Sequence, residues 1–203
     1  MSPARICGSE LNGPDAVLYS RPDPRNASPR NAMLSLALFR HAKSSWEKVD
    51  LDDFDRPLNQ RGRTAAPVMG AALKELNFTP QLILCSSAKR ARETLALAAP
   101  NLKGAPEVKF DDQLYLTSPE TLLSRLKSVP AGIKSVLMIG HNPGLHALAL
   151  MLAGAGDAKS VSRLEDKFPT GAVAIFTFPQ TTWRDVAPGS GRLEAFITPR
   201  ERT

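Results

Sequence analysis

The chain has 203 residues, 42 % of them hydrophobic, and a net charge of +6. That suits one globular domain, with or without an appendage, able to bury about 70 % of its unfolded surface without staples. Two cysteines (Cys7 and Cys85), three histidines (His41, His141 and His146) and the lack of a long apolar run exclude a disulfide scaffold, a cysteine-based zinc site, a histidine-rich metal centre and a membrane span.

Residues 1–32 hold several prolines and polar residues and show no hydrophobic period. They read as a disordered or loosely attached extension, or as the product of a start assigned too early, since Met33 directly precedes the first strand-like run. They lack the apolar core of a secretory signal, and Glu10, Asp15 and Asp23 are out of place in a transit peptide. The domain is expected over 33–203.

The apolar run 34–39 reads as a buried strand. Residues 40–58 are polar and irregular, with Trp46 and Phe54 as expected packing anchors. Asn59 is the expected N-cap of a helix over 63–76, in which Pro67 is tolerable only if the first turn lies there. A second strand spans 81–85, and Ser86 or Ser87 is expected to cap a helix that Pro100 stops. A short edge strand is expected at 107–110. Ser118-Pro119-Glu120 opens a helix to 127, with Ser as cap and Pro at the first position. A third strong strand spans 135–139, followed by a helix from Pro143 or Gly144 to 152. Residues 154–157 read as a loop, and 172–178 and 193–197 as late strands.

This alternation predicts an α/β domain with a largely parallel sheet covered on both faces. Ligands of such sheets bind outside the carboxyl ends of the strands. Arg40-His41, residues 86–90 and Gly140-His141 directly follow the three strong strands and should face one crevice. Arg40, His41, Arg90 and His141 would make a strongly cationic hole, and arginine forks match phosphoryl oxygens. No Gly-rich phosphate loop, metal-ligating carboxylate cluster or reactive cysteine motif accompanies them, so a histidine is the natural nucleophile for phosphoryl transfer. Plainer readings stand beside this one. His141 could cap the following helix, Arg56 could pair with Asp52, Asp53 or Asp55 rather than meet phosphate, and Ser86-Ser87 is first a helix cap. Trp46 could instead wall a substrate site. His146 reads as structural and Cys85 as a buried thiol. The basic charge could draw nucleic acid, but no helix-turn-helix, RRM, KH or zinc-finger signature appears, so neither nucleic acid nor membrane is an expected partner.

Four segments recur in the order and spacing of a known family: Leu38-Phe39-Arg40-His41-Ala42-Lys43-Ser44, Arg56-Pro57-Leu58-Asn59 with Gly62, Ser86-Ser87-Ala88-Lys89-Arg90-Ala91 with Thr94, and Gly140-His141-Asn142. Together they resemble the histidine phosphatase, or phosphoglycerate mutase-like, superfamily. The start Arg40-His41-Ala42-Lys43-Ser44-Ser45-Trp46, the segment Asp55-Arg56-Pro57-Leu58-Asn59 and Phe168-Pro169-Thr170-Gly171-Ala172 resemble its SixA branch, small phosphatases associated with phosphohistidine. The resemblance implies a three-layer α/β/α fold with a mostly parallel central sheet, and a phosphatase without metal or cofactor. His41 would form a transient phosphohistidine, with Arg40, Arg90 and His141 on the phosphoryl oxygens and Ser44, Arg56 and Asn142 binding phosphate or substrate. The expected partner is a phosphorylated substrate, either a phosphohistidine protein or a small phosphate ester, and the default location is the cytoplasm.

Two departures matter. Ala42 stands where the family often has Gly, a small change unless a positive φ is needed. No residue fits the mutase pattern for a carboxylate proton donor, which leaves Asp112 and Glu120 as candidates. A missing donor suits a phosphoramidate, whose leaving imidazole is far less basic than an alkoxide. A phosphatase of small phosphate monoesters and a non-catalytic phosphate-binding module are the alternatives.

Overall fold

Strand β1 (Leu34–Arg40) sits in the middle of a seven-stranded sheet, between β4 (Ser135–Gly140) and β6 (Val173–Phe178). The computed structural model describes residues 33–47 and 50–202, so the extension expected over 1–32 lies outside the described residues. The strand order is β3-β2-β4-β1-β6-β7-β5, with β2 at Leu82–Ser86, β3 at Glu107–Asp111, β5 at Ala153–Gly156 and β7 at Gly191–Ile197. β1 pairs in parallel with β4, β4 with β2, β2 with β3, and β5 with β7. β6 is antiparallel to both of its neighbours and alone runs against the rest.

The sheet is covered on both faces, which is why its central strands are continuous apolar runs. Leu34, Leu36 and Leu38 of β1 enter one core with Val136 and Met138, under α3 (Pro119–Lys127), α4 (Gly144–Leu152) and α5 (Ala158–Asp166). The alternate residues Ala37 and Phe39 enter the other with Ile83, Cys85 and Ile139, under α1 (Gln60–Glu75) and α2 (Lys89–Ala98). The strand period of two thus sorts one run into two cores. Each fully buried Leu or Phe stabilises the fold by about 1.5–3 kcal/mol. The three-layer α/β/α fold is the one expected. Among the described residues no helix is long and apolar enough to cross a membrane.

Several local expectations need correction. Helix α1 starts directly after Asn59, whose side chain accepts from the Gly62 N–H, so Pro67 lies in its interior rather than its first turn. The Arg63 carbonyl therefore lacks its i+4 amide donor. Helix α2 begins after Ala88 without a side-chain cap, because Ser86 is turned to His141 instead. Trp46 is not a buried anchor; it is 71 % exposed, with its ring against the Arg56 guanidinium. Residues 154–157 form most of edge strand β5 rather than a loop, and Asp157 then caps α5, a helix not foreseen in the sequence. Gly154 permits the β5 path, since a Cβ there would lie 1.7 Å from the Gly189 carbonyl oxygen.

Helices α1 and α2 meet at Gly70, where a Cβ would stand 2.4 Å from the Ala98 carbonyl oxygen. Gly70→Ala should therefore lower unfolding stability by about 1–3 kcal/mol through overpacking. In an unpacked helix the same change would raise it by up to about 1 kcal/mol. Urea denaturation checks the sign.

Candidate active site

Parallel pairing brings the strand ends together. Arg40 is in register with Gly140, and the His41 N–H donates to the Gly140 carbonyl at 3.0 Å. The rings of His41 and His141 lie 4.9 Å apart, centroid to centroid. Arg90, from the first turn of α2, is buried as the two histidines are.

The motif residues latch the backbone around these side chains. The Ala42 N–H donates to Thr94 Oγ1 at 3.0 Å, and that hydroxyl donates to the Arg90 carbonyl at 2.6 Å. The Asn59 N–H donates to the Lys43 carbonyl, and a Cβ on Gly62 would stand 2.2 Å from the same oxygen. The Leu58 N–H donates to Glu93 Oε2, and Ser44 bridges Leu58. The Gly171 N–H donates to the carbonyls of Arg40 and His41, from a backbone at φ +79 that favours glycine. Ala42 has no positive φ and is wholly buried, so the family's more usual Gly is not needed there.

His41 Nδ1 lies 2.8 Å from the Ala42 carbonyl oxygen. A carbonyl only accepts, so Nδ1 carries the proton and Nε2 presents a lone pair. Burial pushes the His41 pKa down to about 3; the Ala42 hydrogen bond opposes this, and Arg90 and Arg40 reinforce it. Burial, with His41, Arg90 and Arg40 adding, takes His141 down to about 2. Both rings are neutral at neutral pH. His141 Nε2 meets Ser86 Oγ at 2.9 Å. Its Nδ1 is buried without a hydrogen-bond partner, as are Arg40 Nε and Asn142 Oδ1. Buried polar atoms without partners are uncommon, and these three keep hydrogen-bonding capacity at the cluster.

Arg90 and Arg56 converge on Asp53, in a 3-10 turn (Asp53–Asp55). Asp53 Oδ2 accepts from Arg90 Nη2 at 2.8 Å and from the Tyr115 hydroxyl at 2.7 Å, while Oδ1 accepts from Arg56 Nη1 at 2.6 Å. Arg90 Nη1 also donates to the Asp53 carbonyl. Partial burial raises the Asp53 pKa, but Tyr115, Arg56 and Arg90 outweigh it and hold the carboxyl at about 2. With both rings neutral, the guanidiniums of Arg40, Arg56 and Arg90 exceed this carboxylate by two charges, matching a phosphate dianion.

The other predicted residues fall as follows. Arg56 Nε donates to the Ser45 carbonyl and Nη2 to Ser44 Oγ, so its donors serve its own loop and Asp53. The Asn142 amide and Arg40 Nη1 both donate to the Phe168 carbonyl. Asp112 and Glu120 are exposed; Asp112 lines a separate hollow with Ser87 and Arg125, and Glu120 opens α3. His146 Nε2 donates to the Leu164 carbonyl, and burial pushes the Cys85 thiol up to about 12. Asp53 and Tyr115 were not singled out as site residues from the sequence. Asp53 appeared there only as a loop partner for Arg56, and nothing local marks Tyr115.

The sequence profile of the histidine phosphatase superfamily (branch 1) matches residues 36–115. An uncharacterized protein of Mycobacterium tuberculosis, Rv1276c, is 36 % identical over 163 residues, 79 % of this chain and 99 % of the relative. Among solved structures, a candidate phosphohistidine phosphatase SixA from Nakamurella multipartitia superposes with a TM-score of 0.72 and 27 % identity, over 82 % of this chain and 96 % of that one. Another candidate SixA, from Agrobacterium tumefaciens, gives 0.68 and 28 %, over 82 % and 99 %.

Folded stability should fall as pH drops below 6.5. Unfolded imidazoles take up protons from there, while the folded rings do so only near 3 and 2. The slope is up to about 1.4 kcal/mol per pH unit for each ring. Urea midpoints across pH measure it, and His41→Asn should remove one ring's share. Asp53 acts in the same direction but in a lower pH window. Its contribution is complete above its unfolded value of 3.8 and is lost as pH falls through about 2. Asp53→Asn should cost on the order of 1–2 kcal/mol at neutral pH, less than a fully buried pair because the Asp53 side chain is 41 % exposed. It should also remove the acid-limb loss below pH 3.8.

Proposed function

The chain belongs to the histidine phosphatase superfamily, and on that premise we propose that it is a metal-independent phosphatase acting on phosphohistidine, in the manner of the SixA branch. The observation that carries the reading is the His41 tautomer. The Ala42 carbonyl fixes the proton on Nδ1, and Nε2 stays unprotonated among guanidiniums.

His41 Nε2 attacks phosphorus in line with the leaving group. The new N–P bond forms as the bond to the leaving atom breaks, and that atom keeps the electron pair. Arg40 Nε, buried and without a protein partner, donates to an equatorial oxygen, and Arg90 neutralises the charge spread over these oxygens. With the Ser86 hydroxyl donating its hydrogen bond to His141 Nε2, the His141 proton lies on Nδ1, its buried and unpartnered nitrogen. A bound dianion also raises the pKa of His141 and so favours its charged, donating form. Water then attacks phospho-His41, releasing phosphate and returning the lone pair to Nε2.

The leaving group decides the substrate class. An alkoxide needs a proton from a general acid, worth typically about 10²–10⁴ in rate. Asp53, the carboxylate at this cluster, is held ionised by three donors and has no proton to give. Imidazole leaves as a neutral ring once its remote nitrogen carries a proton, which solvent supplies. The names of the two SixA relatives agree with this choice.

The test is hydrolysis in EDTA of a phosphohistidine-bearing protein against alkyl and aryl phosphate monoesters, with His41→Ala as control. Phosphohistidine should exceed alkyl phosphates by at least about 100-fold in kcat/KM, and His41→Ala should abolish turnover. Equal rates on alkyl phosphates would contradict the substrate class, and Asp112→Asn and Glu120→Gln would then locate the acid. An active His41→Ala variant would contradict the mechanism, and turnover of no substrate would favour a binding module.

A further inference from the structure

A second hollow, of about 870 Å³, lies between the start of α1, the end of α5 and the turn after β7. The segments that build the histidine cluster also border it. Lys43, on its wall, is two residues past His41, and Pro169 and Thr170 follow the Phe168 carbonyl that holds Arg40. Five cationic side chains line it against one acid, Asp166. Two of the cations are already paired, Arg163 with Glu201 at 2.6 Å and Lys167 with Asp166 at 3.1 Å. The other three, Lys43, Arg61 and Arg200, are exposed and have no ion-pair partner among the described residues. Ala65 and the buried Phe196 are among its apolar lining.

From this we infer that the hollow is the docking groove for an acidic polypeptide segment flanking the phosphorylated residue of the substrate. The inference rests on the phosphatase reading and names the kind of protein it acts on. The volume is far larger than one phosphate ion requires, and the mixture of apolar floor and unpaired cations suits side chains and backbone together. Unpaired cations beside a reaction pocket steer an oppositely charged partner and select it over neutral ones. Lys43 spans the two places: its carbonyl accepts from the Asn59 N–H, close against Gly62, at the cluster, and the residue lines the groove.

The test uses the full chain and the Arg61→Glu/Arg200→Glu double variant, neither residue being part of the catalytic cluster. Substrates are phosphohistidine peptides with acidic or uncharged flanks, and free phosphoramidate. The parent should prefer the acidic peptide by about tenfold in kcat/KM, expressed in KM and reduced by added salt. The double variant should lose that preference and keep its phosphoramidate rate. Equal use of both peptides by the parent, or a preference that survives the double change, would overturn the groove. Binding of a fluorescent, unphosphorylated acidic peptide, read by anisotropy, separates the two readings. If no substrate turns over but the double variant still loses peptide binding, the phosphatase reading fails and the groove stands. If tripolyphosphate binds in a manner dependent on Arg61 and Arg200 while the acidic peptide does not, the groove takes a small anion instead and the inference is wrong.

Discussion

The site is organised by one electrostatic constraint: cationic arginines must stand beside two buried neutral imidazoles before any phosphate arrives. Unrelieved, those charges would repel one another and drive the loops apart. Asp53 relieves them, accepting from Arg90, Arg56 and the Tyr115 hydroxyl. It ties the segment after β1 to α2 and to the residues following β3, three parts of the chain that share no local sequence. Because the carboxylate offsets only one of the guanidinium charges, the pocket stays attractive to a dianion. Arg90 spends both terminal nitrogens on Asp53, so a bound phosphoryl group must share that fork or take it over.

The backbone supplies the remaining order. Thr94 accepts from the Ala42 N–H and donates its hydroxyl to the Arg90 carbonyl, which fixes the distance between the His41 loop and helix α2. Gly62 lets the start of α1 approach the Lys43 carbonyl, and Gly171 caps the exit of β1. Parallel strands do the long-range placement, since adjacent carboxyl ends necessarily present their following residues side by side. Burial then keeps His41 neutral, and the Ala42 carbonyl selects which nitrogen is bare. Here packing sets chemistry directly: dryness keeps the His41 ring neutral, and a single carbonyl leaves Nε2 bare.

What could be read from the sequence follows from the range of each signal. β1 and β4 were legible because both faces of each are buried and their runs stay apolar. Ser118-Pro119 was legible because capping and the Pro preference are local. The convergence of residues after three strands followed from the carboxyl-end rule for parallel sheets, and the resemblance added Ser44, Arg56 and Asn142. Strand β5 was not legible: Ala-Gly-Ala-Gly carries no strand propensity, and only pairing with β7 makes it one. Ser86 has the chemistry of a cap but was captured by His141 across 55 residues. Tyr115 and Asp53 meet across 62 residues, and neither position carries a period or motif that would join them. Pro67 inside α1 shows tertiary packing overriding a local rule, with Met69 and Leu73 on the same helix fully buried.

The account stands on His41 Nε2 as the atom that takes the phosphoryl group. Rapid acid-free quenching during a single turnover, followed by fragmentation mass spectrometry and ³¹P NMR, locates that group. The account predicts a transient phosphoryl on His41, bonded through Nε2, that forms before free phosphate appears. A phosphoryl on Nδ1, on His141 or on no residue while phosphate is released would contradict it.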